Sequence, residues 1–127
     1  MLDTHACVFM LAAPRKLGVH ARRAIERVES GRDEAWVPAA VVAEIVLLHE
    51  LGRIRIALPQ LRDAFDGVPG LRFLPLDLRQ LDHFASLTAI RDPFDRLIMS
   101  AARSLSADLI SRDHALGETG LARLVWA

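Results

Sequence analysis

Short apolar runs alternate with helix-like stretches along the whole of this sequence, and that alternation permits few folds. "MLD" closes the first run on an acid, and "AWV", "LRFLPL", "ADLIS" and "ARLVWA" supply later strands. Between them "HACVFMLAA" runs as a helix to Pro14, and "GVHARRAIERVESG" keeps helical spacing until Gly31. Pro38 opens a further helix that reaches about Leu51, with Gly52 as its stop. "PQLRDAFDG", "LRQLDHFASL" and "DPFDRLIMSAARSL" complete the helical set. Strands separated by helices pair in parallel and are covered on both faces. The expected fold class is α/β, a three-layer α/β/α sandwich around a mainly parallel sheet.

At 127 residues, 52% of them hydrophobic and 25% charged, the chain reads as a single folded domain over residues 1–127. Its one cysteine, Cys7, excludes an internal disulfide and agrees with a reducing compartment. The early apolar run "ACVFMLAA" is too short to span a membrane, and Asp3 and His5 stand where a signal peptide carries positive charge. A cytoplasmic protein with no membrane attachment is expected. Net charge is zero, which excludes a strongly basic coat for nonspecific nucleic-acid binding but not a local basic groove. The basic residues are 15 arginines and one lysine, Lys16. Guanidinium forks suit phosphate oxygens, although a GC-rich coding sequence produces the same bias. Only Met1 and Leu2 precede Asp3, whereas a strand usually runs about five to six residues. Either the true start lies upstream or this strand is short.

In parallel α/β sheets, ligands bind beyond the carboxyl ends of the strands. Asp3 follows the first strand there, and Asp113 follows "LIS" at the same edge. Glu44 is the third acid, set in "AAVVAEIVLLHEL", a helix that reads as apolar all round and buried. A buried carboxylate without a partner protonates, pairs or binds a metal. A salt bridge to a distant arginine is the structural alternative; a metal-site acid is the favoured one. In "IRDPFDRLIMSAA", Asp92 stands before Pro93 and is the expected helix cap. At about 100° per residue, Phe94, Leu97, Ile98, Ala101, Ala102 and Leu105 share an apolar stripe. Asp95 falls on its flank, while Asp92 points away with Arg96 and Arg103. Asp95 is therefore the candidate for chemistry.

Four converging carboxylates, Asp3, Glu44, Asp95 and Asp113, repel one another unless a cation holds them. No histidine or cysteine cluster has zinc spacing, so oxygen ligation points to Mg²⁺ or Mn²⁺. Such a site activates water and neutralises charge on a phosphodiester in an in-line displacement. His5 and His114 lie beside or near proposed acids; His5 suits substrate contact, support of Asp3 or a turn-stabilising role. Arg91 and Arg112 flank the expected cleft and suit phosphate contacts, while Arg96 is expected on a solvated helix surface. Trp36 and Trp126 are expected in the core, and His20, His49 and His83 as ordinary surface or core residues.

"LDTH", "AEIVLLHELGRI", "RDPFDRLIMSAA" and "LISRD" together resemble the PIN-domain family, and within it the VapC-type toxins of type II toxin–antitoxin systems. The resemblance covers nearly the whole chain and implies a Mg²⁺-dependent endoribonuclease on a parallel sheet sandwiched by helices. The family's acids fall on Asp3, Glu44, Asp95 and Asp113, and Thr4 takes the place of its Ser or Thr beside the first acid. It also implies an RNA substrate, a homodimer, and a cognate antitoxin protein whose tail lies across the active site. Pro38 and Ala39 depart from the pattern, because many relatives carry a Ser or Thr there. Four carboxylates do not specify the sugar, so a DNA-directed phosphoesterase is the alternative enzyme. A non-catalytic PIN-fold binding module is the alternative class, and retention of all four acids argues against it. A phospho-acceptor signalling domain resembles a mechanism that needs a late-strand lysine, and this chain has only Lys16.

Overall fold

The computed structural model describes residues 1–127. Strand β1, Ala35–Pro38, pairs in parallel with β2, Leu71–Leu74, in the register Ala35↔Leu71 to Pro38↔Leu74. Strand β3, Leu109–Ile110, pairs in parallel with β4, Leu124–Val125. The N-terminal segment Met1–Asp3 joins the two pairs. Leu2 N–H donates to the Trp36 carbonyl at 3.0 Å, Asp3 N–H to Ile110 at 3.1 Å, and Ile110 N–H to Met1 at 2.8 Å. The resulting order is β2, β1, Met1–Asp3, β3, β4. The expected parallel sheet forms, with β3 and β4 cut to two residues each.

Every strand-to-strand connection carries helix. Helices α1 (Thr4–Ala12) and α2 (Val19–Glu29) lead to β1, with a 3₁₀ turn at Pro14–Lys16 between them. Helices α3 (Ala39–Glu50) and α4 (Leu58–Gly67) link β1 to β2. Helices α5 (Leu78–Ser86) and α6 (Pro93–Ser104) link β2 to β3, and a short α7 (His114–Glu118) links β3 to β4. The 3₁₀ turn and α7 are the two elements the sequence reading lacks. Gly31 and Gly52, the expected stops of α2 and α3, adopt left-handed φ of 77° and 71°, a conformation costly for any side chain with a Cβ. Pro38 is the last residue of β1 and the cap of α3 rather than its first helical residue.

Leu2, Val37, Val41, Ile45, Leu61, Ile98, Met99 and Leu109 lie at the centre of the buried apolar cluster. Burial at about 25 cal/mol per Å² of apolar surface is what holds the helices on the sheet. Helix α3 touches both α1 and α6, and α6 packs along α5. Two sequence expectations change here. Helix α3 is not buried all round, because Ala43 and Leu47 face outward. Helix α6 is buried on nearly every side from Ile98 to Ala102, held between α3 and α5, and Leu105 of the expected stripe is exposed. Arg96 is not a solvated surface residue: its Nε donates to the Phe84 carbonyl at 2.8 Å and its guanidinium lies 4.2 Å from the Phe84 ring, tying α6 to α5. Trp36 and Trp126 are half-buried against the core rather than inside it. No helix is long and apolar enough to cross a membrane.

Candidate active site

Four of the chain's elements present an acid to one cavity at the carboxyl edge of the sheet. Asp3 ends the central segment and caps α1, its Oδ1 accepting from the Ala6 amide at 2.8 Å. Asp113 leaves the same edge after β3 and caps α7, accepting from the Ala115 amide at 3.0 Å. Glu44 projects from the second turn of α3, and Asp95 from the first turn of α6. All four line a cavity of about 320 Å³, together with Thr4, His5, Asp92, Ile98 and Arg112. Larger cavities of about 580 and 620 Å³ exist, the second adjoining this one, but neither gathers unpaired acids.

The electrostatics confirm that these carboxylates feel one another. Asp95 has its carboxyl pushed up to about 6, first by burial and then by Asp92, Asp113, Glu44 and Asp3 in that order. Asp3, which is 8% exposed, is also raised, mainly by burial. A hydrogen bond from Ser111, the Ala6 amide and the charge of His5 oppose that rise, while Asp113 adds to it. No arginine or lysine pairs with any of the four. The salt-bridge explanation of Glu44 therefore fails. Its Oε1 instead accepts from the Thr4 hydroxyl, and Glu44 is half-buried rather than enclosed.

Asp92 is the helix cap, as its position before Pro93 predicts, with Oδ1 accepting from the Asp95 amide at 3.0 Å. It does not point away, however. It lines the same cavity and is the strongest like charge acting on Asp95. The face assignment missed this because α6 has no single apolar stripe. Arg112 lines the cavity and Arg91 does not. Ser111, fully buried, was missed altogether: it supports Asp3, and its Oγ accepts from the Asp113 amide at 3.0 Å. The available signal was a small polar residue closing an apolar strand two positions before an acid.

Apart from His5, the atoms able to ligate a cation here are carboxylate and hydroxyl oxygens, a donor set that fits a hard divalent ion. The side chains stand on the cavity walls, and no three of them close on a common point. Capping and the Thr4 contact hold one oxygen each of Asp3, Asp113 and Glu44 in place.

Residues 1–121 match the model of the PIN domain. The chain belongs to the PIN domain family. This PIN domain superposes on a crystal structure of VapBC2 from Rickettsia felis bound to a DNA fragment from their promoter, with a TM-score of 0.72 and 16% identity over 100% of this chain and 98% of that one. It is similarly close to DNA-bound VapBC from Salmonella typhimurium, with a TM-score of 0.69 and 17% identity over 98% of this chain and 94% of that one. At such identities the likeness is one of fold. Comparison with curated proteins returned no match.

Proposed function

We propose that this PIN domain is an endoribonuclease toxin of a toxin–antitoxin system that hydrolyses RNA phosphodiester bonds with Mg²⁺ or Mn²⁺. The observation that carries the reading is the cavity at the sheet's carboxyl edge, where Asp3, Glu44, Asp95 and Asp113 face one another without a basic partner. Those four residues would hold the cation, which when bound supplies charge neutralisation at the phosphodiester and a lowered pKa for the attacking water. The chain's own groups do the rest. Burial and its like-charged neighbours make Asp95 hold its proton more tightly, a proton it would give up on binding the cation. Ser111 and Thr4 fix the orientation of Asp3 and Glu44. Arg112 and His5, on the cavity rim, meet the substrate.

The shape shared with VapBC proteins supports a cognate antitoxin as the protein partner. A homodimer in the cytoplasm completes the reading. The test is cleavage of one sequence as RNA and as single-stranded DNA, with Mg²⁺ and with excess EDTA. RNA cleavage that EDTA abolishes is expected. Equal cleavage of the DNA would make the protein a general phosphodiesterase, and metal-independent cleavage would remove the role given to the acids.

A further inference from the structure

Beside the acid cavity runs a second groove of about 620 Å³ that shares Thr4, His5 and Arg112 with it. Lys16, Arg53 and Arg55 line its other polar positions, and no Asp or Glu lines it at all. In a chain of zero net charge that is a marked local segregation. The four cations are exposed, and none belongs to an ion pair; what sets them apart is that they line one groove free of acids. Lys16 and Arg112 lie against the Phe9 ring, at 5.6 and 5.1 Å from its centroid, so two of the charges are held in place without being neutralised. Val8, Leu48 and Ile54 add apolar side chains to the same groove.

Unpaired cations and apolar side chains lining one groove match a single strand of nucleic acid: phosphates meet the charges and unstacked bases cover the apolar part. A duplex keeps its base faces stacked inside and would leave that part wet. We propose that the groove carries the single-stranded RNA segment adjoining the scissile phosphate. Lys16, Arg53 and Arg55 bind its phosphates, and Arg112 sits at the junction with the acid cavity. The choice of RNA rests on the nuclease reading above; the groove's role in binding does not depend on cleavage.

Binding of a fluorescently labelled, mixed-sequence single-stranded oligoribonucleotide, measured by anisotropy in EDTA, separates the two. Arg53→Gln/Arg55→Gln should weaken binding about tenfold or more, and the log–log salt slope should shrink by on the order of 0.7 per lost phosphate contact. Arg53→Lys/Arg55→Lys should restore most of the affinity, which a merely structural role would not predict. A matched pair outside the groove, Arg23→Gln/Arg32→Gln, should change affinity by less than about twofold. With Mg²⁺ present, the groove variant should raise KM more than it lowers kcat. Wild-type affinity in Arg53→Gln/Arg55→Gln overturns the proposal, as does equally tight binding of a duplex of the same sequence. So does a variant that loses an acidic peptide probe while keeping RNA. If the wild type binds RNA through the groove but cleaves nothing with Mg²⁺, the nuclease reading fails and the groove stands. If it cleaves but binding ignores the groove substitutions, the reverse holds.

Discussion

At the amino end of the sheet, Asp33, Glu34 and Asp108 each meet an arginine: Arg27, Arg72 and Arg123. At the carboxyl end, Asp3, Glu44, Asp95 and Asp113 share one cavity with no arginine or lysine paired to them. The paired acids are exposed, and such pairs contribute little to stability because water and salt screen them. The unpaired acids are partly buried, and their mutual repulsion works against folding. A cluster held at that disadvantage, in a protein with enough arginines to neutralise it, adds nothing to stability and fits the cation-holding role proposed for it.

Removing an acid from the carboxyl end should sharpen the contrast most clearly. Asp95→Asn or Glu44→Gln should lower RNA cleavage by more than the roughly 10–100-fold typical of losing an outer-shell partner. The metal-free melting temperature should stay level or rise, since a repulsive charge is gone. Unfolding of Glu44→Gln would instead mark Glu44 as structural. Next in size, Ser111→Ala should cost about 10–100-fold in cleavage through misplacement of Asp3, with the fold kept; wild-type rates would remove Ser111 from the site. Asp92→Ala should lose on the order of 1 kcal/mol of stability by thermal melting, whereas Asp92→Asn keeps the cap. Because Asp92 also faces the cavity, its Asn variant should bring the Asp95 carboxyl down from about 6 in metal-free buffer, as NMR titration of that carboxyl would register.

The two ends should also answer pH in opposite senses. Asp95 binds its proton more tightly folded than unfolded, so in metal-free buffer it costs stability as pH rises from about 4 to about 6 and costs nothing below that range. Asp33 and Asp108 are held below the usual carboxylate range by Arg27 and Arg123, so their contribution is present above that range and lost as pH falls through their folded values. Melting curves of Asp95→Asn minus wild type should show a gap that opens over pH 4 to 6; a pH-independent gap would mean that Asp95 does not titrate as its surroundings require. Smallest of all, Arg27→Gln should leave both melting temperature and cleavage close to wild type, because its pair with Asp33 lies at the surface, where water and salt screen it.

Alternation of strands and helices was enough to read the parallel sheet, since most of the apolar runs are ended by a Pro or an acid. The convergence of the four acids was legible for a related reason: two stand at strand ends, Glu44 interrupts a largely apolar helix, and Asp95 flanks an apolar stripe. What sequence could not supply was how neighbouring elements cover a helix. Helix α3 looked buried from its composition, yet its outer face stays exposed, and α6 is enclosed by α3 and α5 beyond any one stripe. Asp92 and Ser111 were misjudged on that account, one by the angle around α6 and the other by appearing to belong only to β3. Helix α7 escaped because five residues are too few to show a period.

The segment Met1–Asp3 is the seam between the two strand pairs, and the acid cavity lies across it. Glu44 rises from the half built on β1, Asp113 from the half built on β3, and Asp3 from the seam itself. Local opening along that line would scatter the quartet while leaving both halves folded. Anything that draws the four carboxylates together acts as a clasp on the sheet, so amide exchange at Leu2, Asp3 and Ile110 should slow when the site is filled, far more than in α5 or β2.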